Sequence, residues 1–353
     1  MLMRSVCFIL LAVLLFSLSA CEPSHQQQKQ ASAAKDEKKD IIPLSAEKAD
    51  GVEGWLNNST ILYTASNPTK TELFAYRIFT GKAKKLYQTD GQIVDVQINA
   101  REQMILLQIT HSQKTAVVLL NAEGETLYEK DYETYELEAA WNQYDPYQMM
   151  VTEFNENWDF HTYQVNAKKD ESFLSPVQVP FIHWTSKNTF DYVKEGRDDK
   201  TGPLYTFDTA SKTEQKLEDN VLFFDSFHQM SFTVKSASGG KGTYQFKTPQ
   251  STSPVTAKWP LQAKYTSLAP MEYDYDEAGS LFYTFKQSGD AYKLAAINVA
   301  SGETKDLVSL REMEPIQISP NGKYALYGFH FEQIILLKSH ETKQLIIDQK
   351  EME

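Results

Sequence analysis

Seven apolar anchors recur along this chain at a nearly constant interval, and that spacing limits its possible folds more than any other feature. They are Trp55, Ile98, Trp141, Trp184, Phe227, Tyr275 and Ile318, spaced 43 residues apart except for the 48 between Phe227 and Tyr275. Each anchor closes one apolar strand, a tight turn follows, and a second apolar strand leaves the turn. The last copy is the sharpest: Ile318 is followed by Ser319-Pro320-Asn321-Gly322-Lys323 and then Ala325-Leu326-Tyr327. Glycine supplies the positive φ such a turn requires, asparagine tolerates it, and proline presets the entry.

Each interval holds four short β segments. In the first unit they are residues 52–55, 61–64, 72–78 and 84–87, parted by Asn57-Asn58, Asn67-Pro68 and Thr80-Gly81. The fourth unit is expected to open with a strand over 179–184 and the fifth with one over 221–227. The sixth ends in a hairpin around Ala300-Ser301-Gly302. Four strands at this period predict an all-β fold, a β-propeller of four-stranded blades, seven by repeat count, filling residues 51–353. A single blade cannot cover both of its faces, whereas a ring packs each blade against two neighbours. A pair of β-sandwiches would use similar strands but gives no reason for equal spacing. The 12% aromatic content suits strands and anchors.

The N-terminus carries an address. Arg4 supplies positive charge, residues 6–16 are apolar, and Leu18-Ser19-Ala20-Cys21 follows with small residues before a cysteine. That tetrapeptide resembles a bacterial lipobox. The resemblance implies removal of residues 1–20 and lipidation of Cys21, which would hold the protein to the cell membrane facing outside the cytoplasm. An apolar run this short falls below the roughly 20 residues needed to span a bilayer. Residues 22–40 hold no large apolar side chain, so the stretch 21–50 is expected to be a lipidated start followed by a flexible tether. Within it, Ile41-Ile42-Pro43-Leu44 fits either a first short strand or the point where the tether docks.

Cysteine and charge exclude several classes of function. The chain has two cysteines, Cys7 in the signal and Cys21 at its end, so no disulfide, zinc-cysteine site or thiol nucleophile is expected in the body. A formal charge of −12 argues against nucleic acid as partner and against broad adhesion to anionic lipid.

The turn at 318–323 resembles the Trp-Ser-Pro-Asp-Gly-Lys turn of TolB-like propellers, with Asn321 where aspartate is usual. Together with the lipobox, the polar tether and a propeller filling the remainder, the chain resembles bacterial lipoproteins with a YqgU-like propeller domain. That resemblance implies a surface-anchored propeller of six blades, against the seven units counted, and no established catalytic activity.

Motifs for chemistry are sparse. No His-Glu-x-x-His or Gly-x-Ser-x-Gly occurs. No catalytic residue, metal or cofactor is expected. The run Glu272-Tyr273-Asp274-Tyr275-Asp276-Glu277 starts like a calcium loop but has Glu277 where that loop needs glycine, and it reads equally as a solvated strand edge with Tyr273 and Tyr275 on the opposite face. The histidines His111, His161, His183, His228, His330 and His340 are expected on loops and edges. His111 and His330 share a phase.

The loops between second and third strands offer the best binding surface. The richest are Asn155-Glu156-Asn157-Trp158-Asp159 and residues 195–200, in consecutive units. Trp158 and Asp159 with Arg197 and Asp198 are therefore the candidate partner-binding residues, since Trp and Arg are common interface anchors. The leading expectation is a binding or scaffolding module for an envelope protein or glycan. The alternatives are a channel-mouth enzyme, such as a glycan hydrolase or lyase using Glu272 and Asp274, and an assembly factor for exported proteins.

Overall fold

The structure is a computed structural model describing residues 40–112, 114–134, 136–194, 201–264 and 267–347. The signal segment, Cys21, the stretch 22–39, Arg197 and Asp198 lie outside the described residues. Among these residues no helix is long and apolar enough to cross a membrane.

Seven antiparallel sheets follow one another along the chain, each built from consecutive strands. We number them blades 1 to 7: residues 51–89, 92–132, 136–174, 183–221, 223–270, 273–310 and 316–344. The first strand of each blade lies beside the first strand of the next, so these seven strands form the wall of a central channel. The fourth strands are outermost, and that of blade 4, Thr213–Val221, is largely exposed.

The 48-residue step has a structural cause. Blade 5 carries an extra strand, Ser267–Pro270, which pairs with the prolonged fourth strand Val255–Lys264, so the insertion sits at the outer edge and leaves the ring spacing intact.

Two strand boundaries differ from expectation. In blade 4 the inner strand is regular only over His183–Trp184, because Pro180 cannot donate to a ladder and the chain crosses the rim before it. Val221 closes the outer strand of blade 4 and does not open blade 5, whose inner strand is Phe223–Phe227.

Alternating apolar residues fill six clusters among the described residues, each lying along a seam between successive blades. Leu106, Val117, Trp141 and Met149, for example, join blades 2 and 3. The seam between blades 4 and 5 is held differently. There His183 Nδ1 meets Asp225 Oδ1 at 2.6 Å, Ser226 Oγ donates to the Trp184 carbonyl at 2.6 Å, and Phe224 sits edge-on to the His183 ring.

The anchors also bind blades together by hydrogen bonds. Trp184 Nε1 donates to Ala140 O in blade 3, and Trp55 Nε1 to Gln317 O in blade 7. Gln317 Oε1 accepts from Trp55 N at 3.0 Å, an approach possible because Gly54 has no side chain: a Cβ there would lie 2.4 Å from that oxygen.

Ring closure is completed by Leu44–Ser45, which pairs in parallel with Ile346–Ile347. Tyr76 OH donates to the carbonyls of Ile42 and Pro43, and Leu44 is buried with Trp55 and Leu345. The folded unit accordingly begins at Ile41, inside the stretch assigned from sequence to the tether, because Ile41 and Leu44 have apolar partners there.

Candidate binding rim and central channel

Loops joining second to third strands and loops joining successive blades share one face of the ring. In blade 3 the strands Gln148–Phe154 and Phe160–Asn166 are joined by the turn that carries Trp158. Asn155 organises this turn: its Oδ1 accepts from the amides of Asn157 and Asp159, both at 2.9 Å, and its own amide donates to Asp159 O. The cost is a left-handed backbone at Trp158, φ 64°. A bulky side chain rarely adopts that conformation, which makes the turn a strained one.

Trp158 is 67% exposed and meets the Phe154 ring at 6.1 Å between centroids. Phe181, 62% exposed on the connection from blade 3 to blade 4, meets Phe154 at 6.4 Å. Three aromatic rings thus form one apolar ledge. The candidate Trp158 lies on it, whereas Asp159 serves the turn through its backbone and its contact with Asn155. Arg197 and Asp198 lie outside the described residues. Phe154 and Phe181 were missed because they occupy a strand end and an inter-blade connection that no turn motif marks.

Phe181 also lines a cavity of about 320 Å³ inside the channel, walled by Gln97, Glu138, Trp141, Tyr144, His183, Trp184, Ser226 and Phe227 among others. Burial pushes the Glu138 carboxyl above its ordinary value, Asp95 adds to the rise and His183 opposes it. Glu138 accepts no hydrogen bond and makes no ion pair among the described residues. Burial alone would lower His183, but Asp225, Glu138 and Asp191 outweigh it and hold the imidazole above its usual value. Burial would raise Asp225, yet the His183 bond and the Tyr273 hydroxyl at 2.7 Å hold it low. His183 was expected at an edge. It lies on the channel wall because the inner strand of blade 4 turns it toward Asp225.

The anchor-turn end of the channel is crossed by side chains from distant blades. Arg101 of blade 2 pairs with Glu277 of blade 6, and Tyr144 of blade 3 stacks on His228 of blade 5 at 4.8 Å. Tyr144 OH donates to Phe227 O, and burial pushes this phenol up to about 12.

In the acidic run at 272–277 only Glu277 is exposed, while Glu272 and Asp274 are half-buried and Asp276 is buried. Tyr273 and Tyr275 pack into the seam between blades 5 and 6, as their alternation predicts. Asp274 accepts from the amides of Ile318 and Tyr275, and burial pushes it up to about 7. Asp276 is 6% exposed beneath its own turn, where Oδ1 has no partner. No three His, Cys, Asp or Glu side chains among the described residues could hold a metal ion together. Glu272 and Asp274 therefore do not form the open pair a channel-mouth hydrolase would use, because Asp274 is engaged by backbone amides.

A sequence signal for the channel does exist. Glu53, Asp95, Glu138, Asp225 and Asp274 each stand one to three residues before an anchor.

A ring of four-stranded blades with a lipobox-like leader defines the class as a lipoprotein β-propeller placed outside the cytoplasm. The chain belongs to the YqgU-like 6-bladed beta propeller domain family, whose model matches residues 77–328. That match holds blades 2 to 6 whole with parts of blades 1 and 7, while seven sheets are present here. Over the full length of both chains it is 99% identical to a Bacillus subtilis (strain 168) protein described as "Uncharacterized lipoprotein YqgU". A crystal structure from Listeria monocytogenes EGD-e is 22% identical with a TM-score of 0.80, covering 88% of this chain and 99% of the other. An oligogalacturonate lyase in complex with manganese is similar over 82% of this chain and 93% of its own, at 12% identity and a TM-score of 0.55. At such identities the likeness shows the fold alone.

Proposed function

We propose that this protein is a non-enzymatic binding module, held to the outer side of the cell membrane by lipid on Cys21, which captures an envelope protein or glycan at the rim bearing Trp158. The observation that carries this reading is the ledge of Phe154, Trp158 and Phe181, where a strained turn holds an exposed indole beside two phenylalanines. Aromatic side chains supply large contact area at small entropic cost, which makes them common anchors of recognition. The other sequence-stated contacts, Asp159, Arg197 and Asp198, would add polar complementarity around that anchor.

The test is crosslinking on intact cells from a photoreactive residue at position 181. A discrete envelope adduct is expected, lost in Trp158→Ala combined with Arg197→Ala while the melting temperature stays put. A crosslinking pattern unchanged by that double variant would discard this surface. Cys21→Ser should move the protein from the membrane fraction to the soluble one.

A further inference from the structure

We propose that the cavity beneath the ledge is a binding site for an organic cation, an ammonium or guanidinium group on an apolar stem. This deepens the rim reading and rests on it for the direction of approach, since Phe181 belongs to both the ledge and the cavity wall.

The side-chain donors around the cavity are almost all engaged within the protein. Gln97 Nε2 donates to Asp95 Oδ2 and Ala139 O, both at 2.9 Å, so its two hydrogens are engaged. Ser226 Oγ donates to Trp184 O, and Tyr144 OH to Phe227 O. The indoles of Trp141 and Trp184 donate to Pro146 O and Ala140 O. His183 directs Nδ1 at Asp225. Apart from Gln143 and the second His183 nitrogen, the side-chain donors lining the cavity are used, whereas the acceptor Glu138 is open. A ligand here must bring donors of its own, and beside a carboxylate in a partly dry channel the strongest are cationic.

The walls fit the rest of such a group. Tyr144, Phe181, Trp184 and Phe227 offer rings to an alkyl stem or a planar cation. The volume of about 320 Å³ falls in the range of small-molecule sites. A bare metal ion is disfavoured by the donor set, because no three His, Cys, Asp or Glu side chains among the described residues could hold one together.

Calorimetric titration of the full chain in detergent micelles tests this with butylguanidinium and its neutral isostere butylurea. Butylguanidinium should bind and butylurea should not, and Glu138→Gln should weaken the cation by roughly ten- to hundredfold. Ala140→Leu, which fills the cavity from its wall, should abolish binding even if the Gln variant folds poorly. A Leu-Arg-Leu peptide separates the two sources of the cation: tighter binding than free butylguanidinium identifies a peptide side chain, and equal binding a free small cation. Trp158→Gly should affect the peptide alone, so a failed rim with an intact cavity is read as butylguanidinium binding without any peptide advantage. Equal affinity for butylguanidinium and butylurea, or a cation affinity unchanged in both Glu138→Gln and Ala140→Leu, overturns the proposal.

Discussion

Arg101 and Glu277, 176 residues apart and on blades 2 and 6, meet across the channel: Nη2 of the arginine donates to both carboxylate oxygens, at 2.7 and 2.6 Å. His228 of blade 5 stands 3.4 Å from the same carboxylate. Arg101 and Glu277 join blades that share no sheet and no seam, and with His228 they brace the ring and narrow its anchor-turn end.

Both partners are substantially solvated, which bounds their energetic role. Arg101→Ala should lower stability by about 0.5–1 kcal/mol at low salt and by less at 1 M salt, read from urea denaturation midpoints. A salt-independent loss would assign the arginine to packing instead.

Asp276 stands where blades 2 and 3 carry Asn99 and Asn142, whose side-chain amides donate to the carbonyls of Gln143 and Lys187 in the next blade. A carboxylate has no hydrogen to offer there, which accounts for the unpartnered Oδ1, and burial raises its pKa above the ordinary 3.8. With the folded value raised, the group's contribution is fully present below pH 3.8 and lost as pH rises through the folded value. Asp276→Asn should therefore stabilise the protein by about 1–2 kcal/mol at pH 7 and have no effect at pH 3, measured by thermal melting at both. An equal effect at both would contradict the assignment.

The turn opposite Asp276 explains why the sharpest anchor motif needs its glycine. Gly322 has φ +65°, and a Cβ there would lie 2.4 Å from Asp276 Oδ2. Gly322→Ala should cost about 1–3 kcal/mol in chemical denaturation. A loss much smaller in the Asp276→Ala background would isolate the contact from the backbone strain.

His183 and Asp225 hold the seam that lacks an apolar cluster of its own. The raised histidine contributes fully below its unfolded value of 6.5 and loses that contribution as pH rises through its folded value. The depressed aspartate contributes fully above 3.8 and loses it as pH falls through its folded value. Their joint contribution is greatest between those two ordinary values. His183→Gln should cost about 1–3 kcal/mol at pH 5, between the amounts typical of exposed and buried pairs, and distinctly less at pH 9. A pH-independent cost would reduce the pair to packing.

Trp158 separates binding from stability. Glycine adopts the left-handed backbone without the cost of about 1–2 kcal/mol that an L side chain meets. Trp158→Gly should leave the melting temperature unchanged or raise it while weakening partner capture. A clear drop in melting temperature would make the indole a structural residue.

The spacing of Trp55, Trp141, Trp184 and their counterparts made the propeller legible, because a blade can bury its faces only by repeating, and repetition leaves a period in the chain. The Trp158 loop was legible for a similar reason: turn residues announce an exposed tip. Its companions Phe154 and Phe181 were not, since nothing in their local sequence distinguishes a solvent-facing ring from a core one.

By itself the sequence determined the all-β class, the repeat of seven, the outward address and the turn chemistry at Gly322, all of which depend on neighbours within a few residues or on regular spacing. Only the tertiary structure decided that Glu138 is left open beneath Phe181, that His183 pairs with Asp225 across a seam, and that Arg101 reaches Glu277. Those relations join residues tens to hundreds of positions apart, and closing the ring is what brings them within reach of a hydrogen bond.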